Sequence, residues 1–156
     1  MSRNITGAML AVACFILFCV GFAPAARAQG CSLSQTAGKW AVSTNGTVIG
    51  IGPRVSAGIL TLDAAGNVLH GRATSSLNGT VATELASGTY SVNPDCTGEE
   101  LLNVFDLSGN KLFTATLAIY FDDEGKEVRG IFTSAVAPNG AQLYSAIVAE
   151  GRKIGD

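Results

Sequence analysis

Apolar and polar side chains alternate along residues 39–149, and glycine, asparagine, aspartate or proline ends each alternating run. A period of two is typical of β-strands that bury one face, and no run keeps the period of an amphipathic helix. The pattern predicts eight strands: Lys39–Thr44, Arg54–Leu62, Val68–Leu77, Thr80–Ala86 continued by Thr89–Val92, Glu99–Leu107, Lys111–Phe121, Glu127–Ala135 and Ala141–Ala149.

Asn78-Gly79 is the strongest turn signal, because a two-residue hairpin turn favours residues that adopt positive φ at both central positions. Such a turn places Leu77 opposite Thr80 and Ala73 opposite Glu84.

The strand after this turn changes phase. Val81, Thr83 and Leu85 occupy odd positions, whereas Tyr90 and Val92 occupy even ones. If both sets face the core, one extra residue must lie between them, and we predict a β-bulge at Ser87-Gly88.

Eight sequential strands with short connections predict an all-β fold, an eight-stranded antiparallel up-and-down barrel. The first and last strands carry few charges that would protect a free edge, so we expect them to pair with each other. A β-sandwich is the alternative, since short strands and glycine-containing turns also suit it. Small residues in the strands would leave space inside a barrel: Ala57, Gly58, Gly71, Ala73, Ala115, Ala118, Gly130, Ala135 and Ala146.

The first 28 residues have the pattern of an export signal. Arg3 supplies the basic end, residues 8–22 the apolar run, and Ala26-Arg27-Ala28 the cleavage site. Residues 29–156 then form a single β-barrel domain that is secreted or periplasmic, with no stable membrane span after cleavage. An uncleaved membrane anchor and lipidation of Cys31 stay open as alternatives.

Cys14 and Cys19 lie within the signal, which leaves Cys31 and Cys96 as a pair in an oxidising compartment. We predict that they form a disulfide. Closing a loop of about 65 residues would stabilise the fold by about 4 kcal/mol on the chain-entropy model. The cysteines therefore have a structural role, and a reactive thiol is the less favoured interpretation.

Charge argues against nucleic acid as a partner. The chain has ten Lys and Arg residues against twelve Asp and Glu residues. Removal of Arg3 and Arg27 with the signal leaves eight basic residues and a net charge of −4. The remaining basic residues are scattered, with no run that could follow a phosphate backbone.

Charged and aromatic residues within the strands are the candidate ligand-binding groups, because a few polar side chains usually orient a ligand in an apolar cavity. These candidates are Arg72, Glu84, Tyr90, Tyr120 and Arg129. The competing interpretation places the charged residues in solvent, with Arg72 and Glu84 forming a cross-strand ion pair on the surface. Trp40, Phe132 and the tyrosines are then aromatics of the core or the lumen wall.

No motif for catalysis or cofactor binding is present. His70 is the only histidine, which excludes a multi-histidine metal site, and we expect it to face solvent. The acidic segment Asp122–Gly125 lacks the ligand spacing of a calcium loop and predicts a solvated turn. We expect neither a metal nor a cofactor, and catalytic residues are not identified.

Four segments carry a family resemblance: C-S-L-S-x-T-x-G at residues 31–38, G-I-G-P at 50–53, D-A-A-G-N at 63–67 and G-T-Y-S-V-N-P-D-C-T-G at 88–98. Together they resemble a group of small exported bacterial proteins of unknown function, over most of residues 29–156. The resemblance implies an architecture similar to the allene oxide cyclase barrel, which is related in shape to dirigent proteins and lipocalin-like carriers. These motifs form turns and a disulfide, so they imply no catalytic residue.

Three functions are consistent with these observations. The favoured hypothesis is an exported barrel that binds a small hydrophobic molecule in its interior. The first alternative is an isomerase or cyclase of the allene oxide cyclase-like type, which holds a reactive substrate in a shaped pocket. The second is a structural or envelope-interaction protein, for which an exposed apolar patch on the outer wall would be expected.

Overall fold

The computed structural model describes residues 30–122 and 124–155, so the predicted export signal lies outside the described residues. Eight antiparallel strands form a closed barrel in sequential order. One helical turn, α1 (Leu33–Thr36), precedes them, although the sequence indicated no helix. The strands are β1 (Gly38–Val48), β2 (Gly52–Leu62), β3 (Asn67–Leu77), β4 (Thr80–Val92), β5 (Thr97–Phe105), β6 (Lys111–Phe121), β7 (Glu127–Val136) and β8 (Ser145–Gly155).

The first and last strands close the barrel. β1 and β8 pair from Lys39 opposite Gly155 to Val48 opposite Ser145, with one register shift near Trp40. The predicted barrel is thereby confirmed over the sandwich. Its closure leaves neither of the two end strands with a free edge.

The strand boundaries that differ most from the prediction are those of β1 and β8, because tertiary pairing overrides local turn chemistry. β1 continues through Asn45-Gly46 to Val48, since β2 pairs with it on one side and β8 on the other. A Cβ atom at Gly46 would lie 2.0 Å from the carbonyl oxygen of Ala146, so only glycine fits between these strands. β8 spans Ser145–Gly155 rather than the predicted Ala141–Ala149, and β5 spans Thr97–Phe105 rather than the predicted Glu99–Leu107.

The Asn78-Gly79 hairpin is confirmed, with φ of 48° and 86° at its two residues and Leu77 opposite Thr80. The predicted bulge at Ser87-Gly88 is wrong. β4 keeps one register against β5 from Leu85 to Val92, and the extra residue instead lies on β3, between Val68 and Gly71. The even-numbered positions Glu84, Ala86 and Tyr90 of β4 therefore face the interior.

Three turns share a leading aspartate that accepts backbone hydrogen bonds. Asp63 accepts from the amides of Ala65 and Asn67, and Asp106 accepts from those of Ser108 and Asn110. Asp122 likewise accepts from the amides of residues 126 and 127. The side-chain amides of Asn67 and Asn110 also donate to Asp63 and Asp106, and lower the pKa of each carboxyl. These are local turn structures.

Helix α1 lies against one end of the barrel, which we call the capped end. Ser32 is its N-cap, and its hydroxyl accepts a hydrogen bond from the amide of Gln35. Thr36 is fully buried, and its carbonyl oxygen accepts a hydrogen bond of 2.9 Å from the indole nitrogen of Trp40. The capped end thereby joins the helix to the apolar core of the barrel.

The predicted disulfide joins Cys31, just before α1, to Cys96 in the β4–β5 turn, with Cα atoms 4.9 Å apart. The bond links the segment before α1 covalently to the barrel at the capped end, and it is consistent with an oxidising compartment. Cys31 packs in the main core cluster with Trp40, Leu62, Val68, Tyr90, Ala115, Leu117, Ile119 and Phe121.

Candidate functional site

The barrel interior contains a cavity of about 110 Å³. Trp40, Tyr90 and Phe121 line its side towards the capped end. Most of its remaining wall is aliphatic or aromatic, from residues such as Leu60 and Phe132. Apolar cavities of about 150 Å³ bind molecules the size of benzene, and this cavity is somewhat smaller, so its occupant is a short aliphatic or single-ring molecule at most.

A buried ion pair lies at the opposite side of the cavity. The guanidinium of Arg54 on β2 donates two hydrogen bonds to the carboxylate of Glu84 on β4, at 3.1 and 2.6 Å. The hydroxyl of Ser75 on β3, the strand between them, donates to the same carboxylate at 2.8 Å. The Arg54 guanidinium also lies over the ring of Phe113, 5.2 Å from its centroid. These contacts hold both charged groups in place.

The predicted surface pair between Arg72 and Glu84 is therefore wrong. Glu84 lies opposite Ala73, as the hairpin register predicts, but its side chain is buried and pairs with Arg54. A charged residue is tolerated inside the barrel because the partner charge comes from β2, two strands away.

Tyr90 lies in the interior, as expected of a lumen-wall aromatic. Its hydroxyl donates to the carbonyl oxygen of Asp63 at 2.7 Å and accepts from the hydroxyl of Thr36 at 3.4 Å. Burial raises the pKa of this phenol. The polar end of Tyr90 is thus bound to the capped end, and its ring is the part that borders the cavity.

The remaining three candidate residues lie on the outer wall. Tyr120 is 54% exposed, whereas its neighbours Ile119 and Phe121 face the interior. Arg129 is exposed opposite Tyr120. Arg72 borders the cavity but is itself exposed, on the face of β3 opposite to Ala73. The expectation that Tyr120 belongs to the core or lumen wall is wrong, and ligand binding by these three stays a prediction without support from the interior.

Glu100 is the interior residue that sequence reasoning missed. It lies on β5, opposite Tyr90 on β4 and Leu117 on β6, and only 8% of it is exposed. It lines the cavity, and its carboxyl forms no hydrogen bond or ion pair with any residue that the structure describes. Burial raises its pKa to about 7. A buried acid without a partner is costly to the fold, which marks it as a functional candidate.

A signal for Glu100 was present in the strand pattern. Glu100, Leu102 and Val104 occupy alternate positions, and the two apolar residues face the cavity. The adjacent Glu99 made the pair look like a polar strand end, although Glu99 is exposed and Glu100 is not. The same argument applies to Arg54, which shares the even-numbered positions of β2, and therefore one face of the strand, with Gly58, Leu60 and Leu62.

Other site types find little support. Within residues 30–122 and 124–155 no three His, Cys, Asp or Glu side chains form a group that could hold a metal ion. His70 is exposed. The described part of the chain also contains no helix of sufficient length and apolar character to cross a membrane. Many large apolar side chains of the described residues are exposed on the outer surface, and two of them, Val148 and Ile131, lie opposite each other on β8 and β7.

No protein-family model matches the chain, and no curated protein matches it. Among solved structures, the chain is similar to a redesigned β-barrel, b11L5F_LGL, at 13% identity and a TM-score of 0.47, over 79% of this chain and 95% of the other. It is also similar to EF1p2_mFAP2b bound to DFHBI, at 13% identity and a TM-score of 0.49, over 79% of this chain and 100% of the other. Neither likeness carries an inference about function.

Proposed function

We propose that this protein binds a small, largely apolar molecule inside the barrel. The single observation that carries the proposal is the cavity of about 110 Å³, whose wall is mostly apolar and contains a few fixed polar groups. Such a combination is typical of small-molecule sites, where apolar burial supplies affinity and the polar groups supply orientation. The predicted export would place this binding outside the cytoplasm, as the disulfide also favours.

Trp40 offers a direct test, because it is the only tryptophan of the chain and lines the cavity. The full chain, expressed under oxidising conditions and purified, is titrated with toluene and with benzyl alcohol. Trp40 fluorescence and saturation-transfer NMR report binding. We expect saturable binding of both compounds.

Two alanines of β8 provide a matched pair of variants. Ala149 lines the cavity, whereas Ala146 is exposed on the outer wall. Leucine at position 149 fills part of the cavity, so Ala149→Leu should weaken binding at least about tenfold, the effect of losing a few buried methylene contacts. Ala146→Leu should bind like the unmodified protein. Equal binding by both variants, or no binding by the unmodified protein, would contradict the proposal.

An isomerase or cyclase is the second candidate, and Glu100 is the observation that favours it. A carboxyl whose pKa lies near 7 exchanges a proton readily at neutral pH, as general acid–base catalysis requires. In deuterated buffer such a base would take a proton from the methyl carbon of acetophenone and return a deuteron. Exchange faster than in buffer, and lost in Glu100→Gln, would support this candidate. Exchange equal in both proteins would remove it.

The structural or envelope-interaction hypothesis stays a prediction. Its discriminating feature would be an exposed apolar patch, and many large apolar side chains of the described residues are exposed, including the paired Val148 and Ile131. Exposed apolar residues are common on protein surfaces and nothing in the structure shows what would cover these, so we place this hypothesis behind binding in the cavity.

A further inference from the structure

Glu100 is the acidic group of the cavity whose charge no other residue that the structure describes balances. The charges of Arg54 and Glu84 balance each other through two hydrogen bonds. The carboxyl of Glu100 has no hydrogen-bond or ion-pair partner among the residues that the structure describes, and 92% of it is buried. When Glu100 is ionised, the cavity therefore carries one net negative charge.

The groups around Glu100 do not supply a cation. From β4, the opposing residue is Tyr90, whose hydroxyl is already bound at the capped end. From β6, the opposing residue is Leu117, which cannot ionise. Of the cavity residues that carry charge, Arg54 and Glu84 pair with each other, and Arg72 and Glu150 are exposed.

We propose that the ligand of this barrel carries one basic nitrogen on a compact apolar body, and that Glu100 binds the protonated nitrogen. This proposal rests on the proposed function, because it names the class of ligand that the same cavity takes. A protonated amine supplies the counter-charge that the described residues do not, and a carboxylate accepts strong hydrogen bonds from it.

The aromatic wall supports the same choice of ligand. Trp40, Phe121 and Phe132 line the cavity, and the faces of aromatic rings attract organic cations. An anionic ligand would meet repulsion from Glu100. It would also find the terminal nitrogens of Arg54 already donating to Glu84.

Three compounds with the same ring and similar size test whether the cavity prefers a cationic, a neutral or an anionic ligand. Benzylamine is protonated between pH 5 and pH 8, benzyl alcohol is neutral, and benzoate is anionic. At pH 8 we expect benzylamine to bind at least about tenfold more tightly than benzyl alcohol, the usual effect of a hydrogen bond to a charged group, and benzoate to bind most weakly. Trp40 fluorescence and calorimetry on the full, oxidised chain give the dissociation constants.

Adjacent glutamates on β5 provide the matched variants. Glu100→Gln keeps the shape of the side chain and removes its charge, whereas Glu99→Gln changes an exposed residue. We expect Glu100→Gln to lose the preference for benzylamine and to keep benzyl alcohol binding, which also shows that the cavity is intact. Glu99→Gln should keep the preference.

The pH dependence separates an ion pair from a hydrogen bond donated by a protonated Glu100. Benzylamine affinity should rise at least about tenfold from pH 5 to pH 8 as Glu100 ionises, while benzyl alcohol affinity stays level. Equal affinity for amine and alcohol at pH 8, or a preference that survives in Glu100→Gln, overturns the amine proposal while apolar binding stands. Absence of binding by every compound, toluene included, overturns the proposed function itself.

Discussion

Arg54 and Glu84 form a two-hydrogen-bond ion pair inside the barrel, although 30 residues separate them in sequence and they lie on strands that do not pair with each other. The pair spans β3, whose Ser75 donates a third hydrogen bond to Glu84. One polar atom is left without a partner, since Nε of Arg54 is buried and makes no hydrogen bond. The pair thus forms part of the cavity wall, and each of its charges is balanced by the other.

Removing one member of this pair should strongly destabilise the barrel. Glu84→Gln leaves the Arg54 charge buried without its partner, and we expect the free energy of unfolding to fall by about 3 kcal/mol or more. The double variant Arg54→Met/Glu84→Leu removes both charges and should recover most of that loss. Urea denaturation at pH 7 measures both effects.

The second ion pair of the described residues serves as the control for this prediction. Lys126 and Glu124 are both well exposed in the β6–β7 turn, where solvent screens the pair. Glu124→Gln should leave the denaturation midpoint nearly unchanged. A double variant at Arg54 and Glu84 that is as unstable as Glu84→Gln alone would show that volume, rather than the uncompensated charge, causes the loss.

The strand pattern predicted the strands, because a period of two and turn residues are local signals. Closure of the barrel was predicted from the few charges on the first and last strands. β6 was predicted with its observed bounds, since its odd positions from Phe113 to Phe121 are all apolar. The disulfide also followed from the count of cysteines. The end of β1 at Val48 and the start of β8 at Ser145 were not predictable, because pairing with distant strands sets them.

The interior was less predictable than the strands, because alternation shows which residues share a face and leaves open which face is inside. On β4 the larger apolar residues Val81 and Leu85 occupy the outer face, and Glu84 occupies the inner one. Its partner Arg54 lies on another strand, so the sequence around Glu84 carries no signal for it. Glu100 was missed because the exposed Glu99 beside it gives the start of β5 a polar pattern.

Loss of the disulfide should lower stability without removing the fold. The bond joins residues separated by 65 positions. Its removal raises the conformational entropy of the unfolded chain, which lowers the free energy of unfolding by about 4 kcal/mol on the chain-entropy model. We expect Cys31→Ala/Cys96→Ala to lower the free energy of unfolding by that amount, measured by urea denaturation as a lower midpoint, and to keep a β-type far-ultraviolet spectrum. Reductant should reproduce the shift in the unmodified protein and have no effect on the double variant.

Gly46 should not tolerate a side chain, because β8 passes closely over it. A Cβ atom at this position would lie 2.0 Å from the carbonyl oxygen of Ala146, and backbone must move to make room. We expect Gly46→Ala to cost about 1–3 kcal/mol of stability. The exposed neighbour gives the control, since Asn45→Ala should change stability little. Equal stability of the two variants would contradict the close approach of β1 and β8.

Glu100 should make the protein less stable as the pH rises towards neutrality. Its pKa is about 7 in the folded protein and 4.5 ordinarily. Between these values the unfolded chain has released the proton that the folded protein keeps, so the free energy of unfolding falls with rising pH. The slope is about 1.4 kcal/mol per pH unit, which amounts to about 3 kcal/mol in total. Below pH 4.5 both states are protonated, and above pH 7 both are ionised.

Glu100→Gln removes this dependence, so the variant should gain up to about 3 kcal/mol over the unmodified protein between pH 4 and pH 8. Urea denaturation of both proteins at intervals across this range measures the difference, and subtraction cancels the other titrating groups. Glu99→Gln, changed at an exposed position of the same strand, should show a nearly constant difference. A constant difference for Glu100→Gln as well would mean that its carboxyl is paired or solvated in the folded protein, and the cavity would then hold no buried, unbalanced charge.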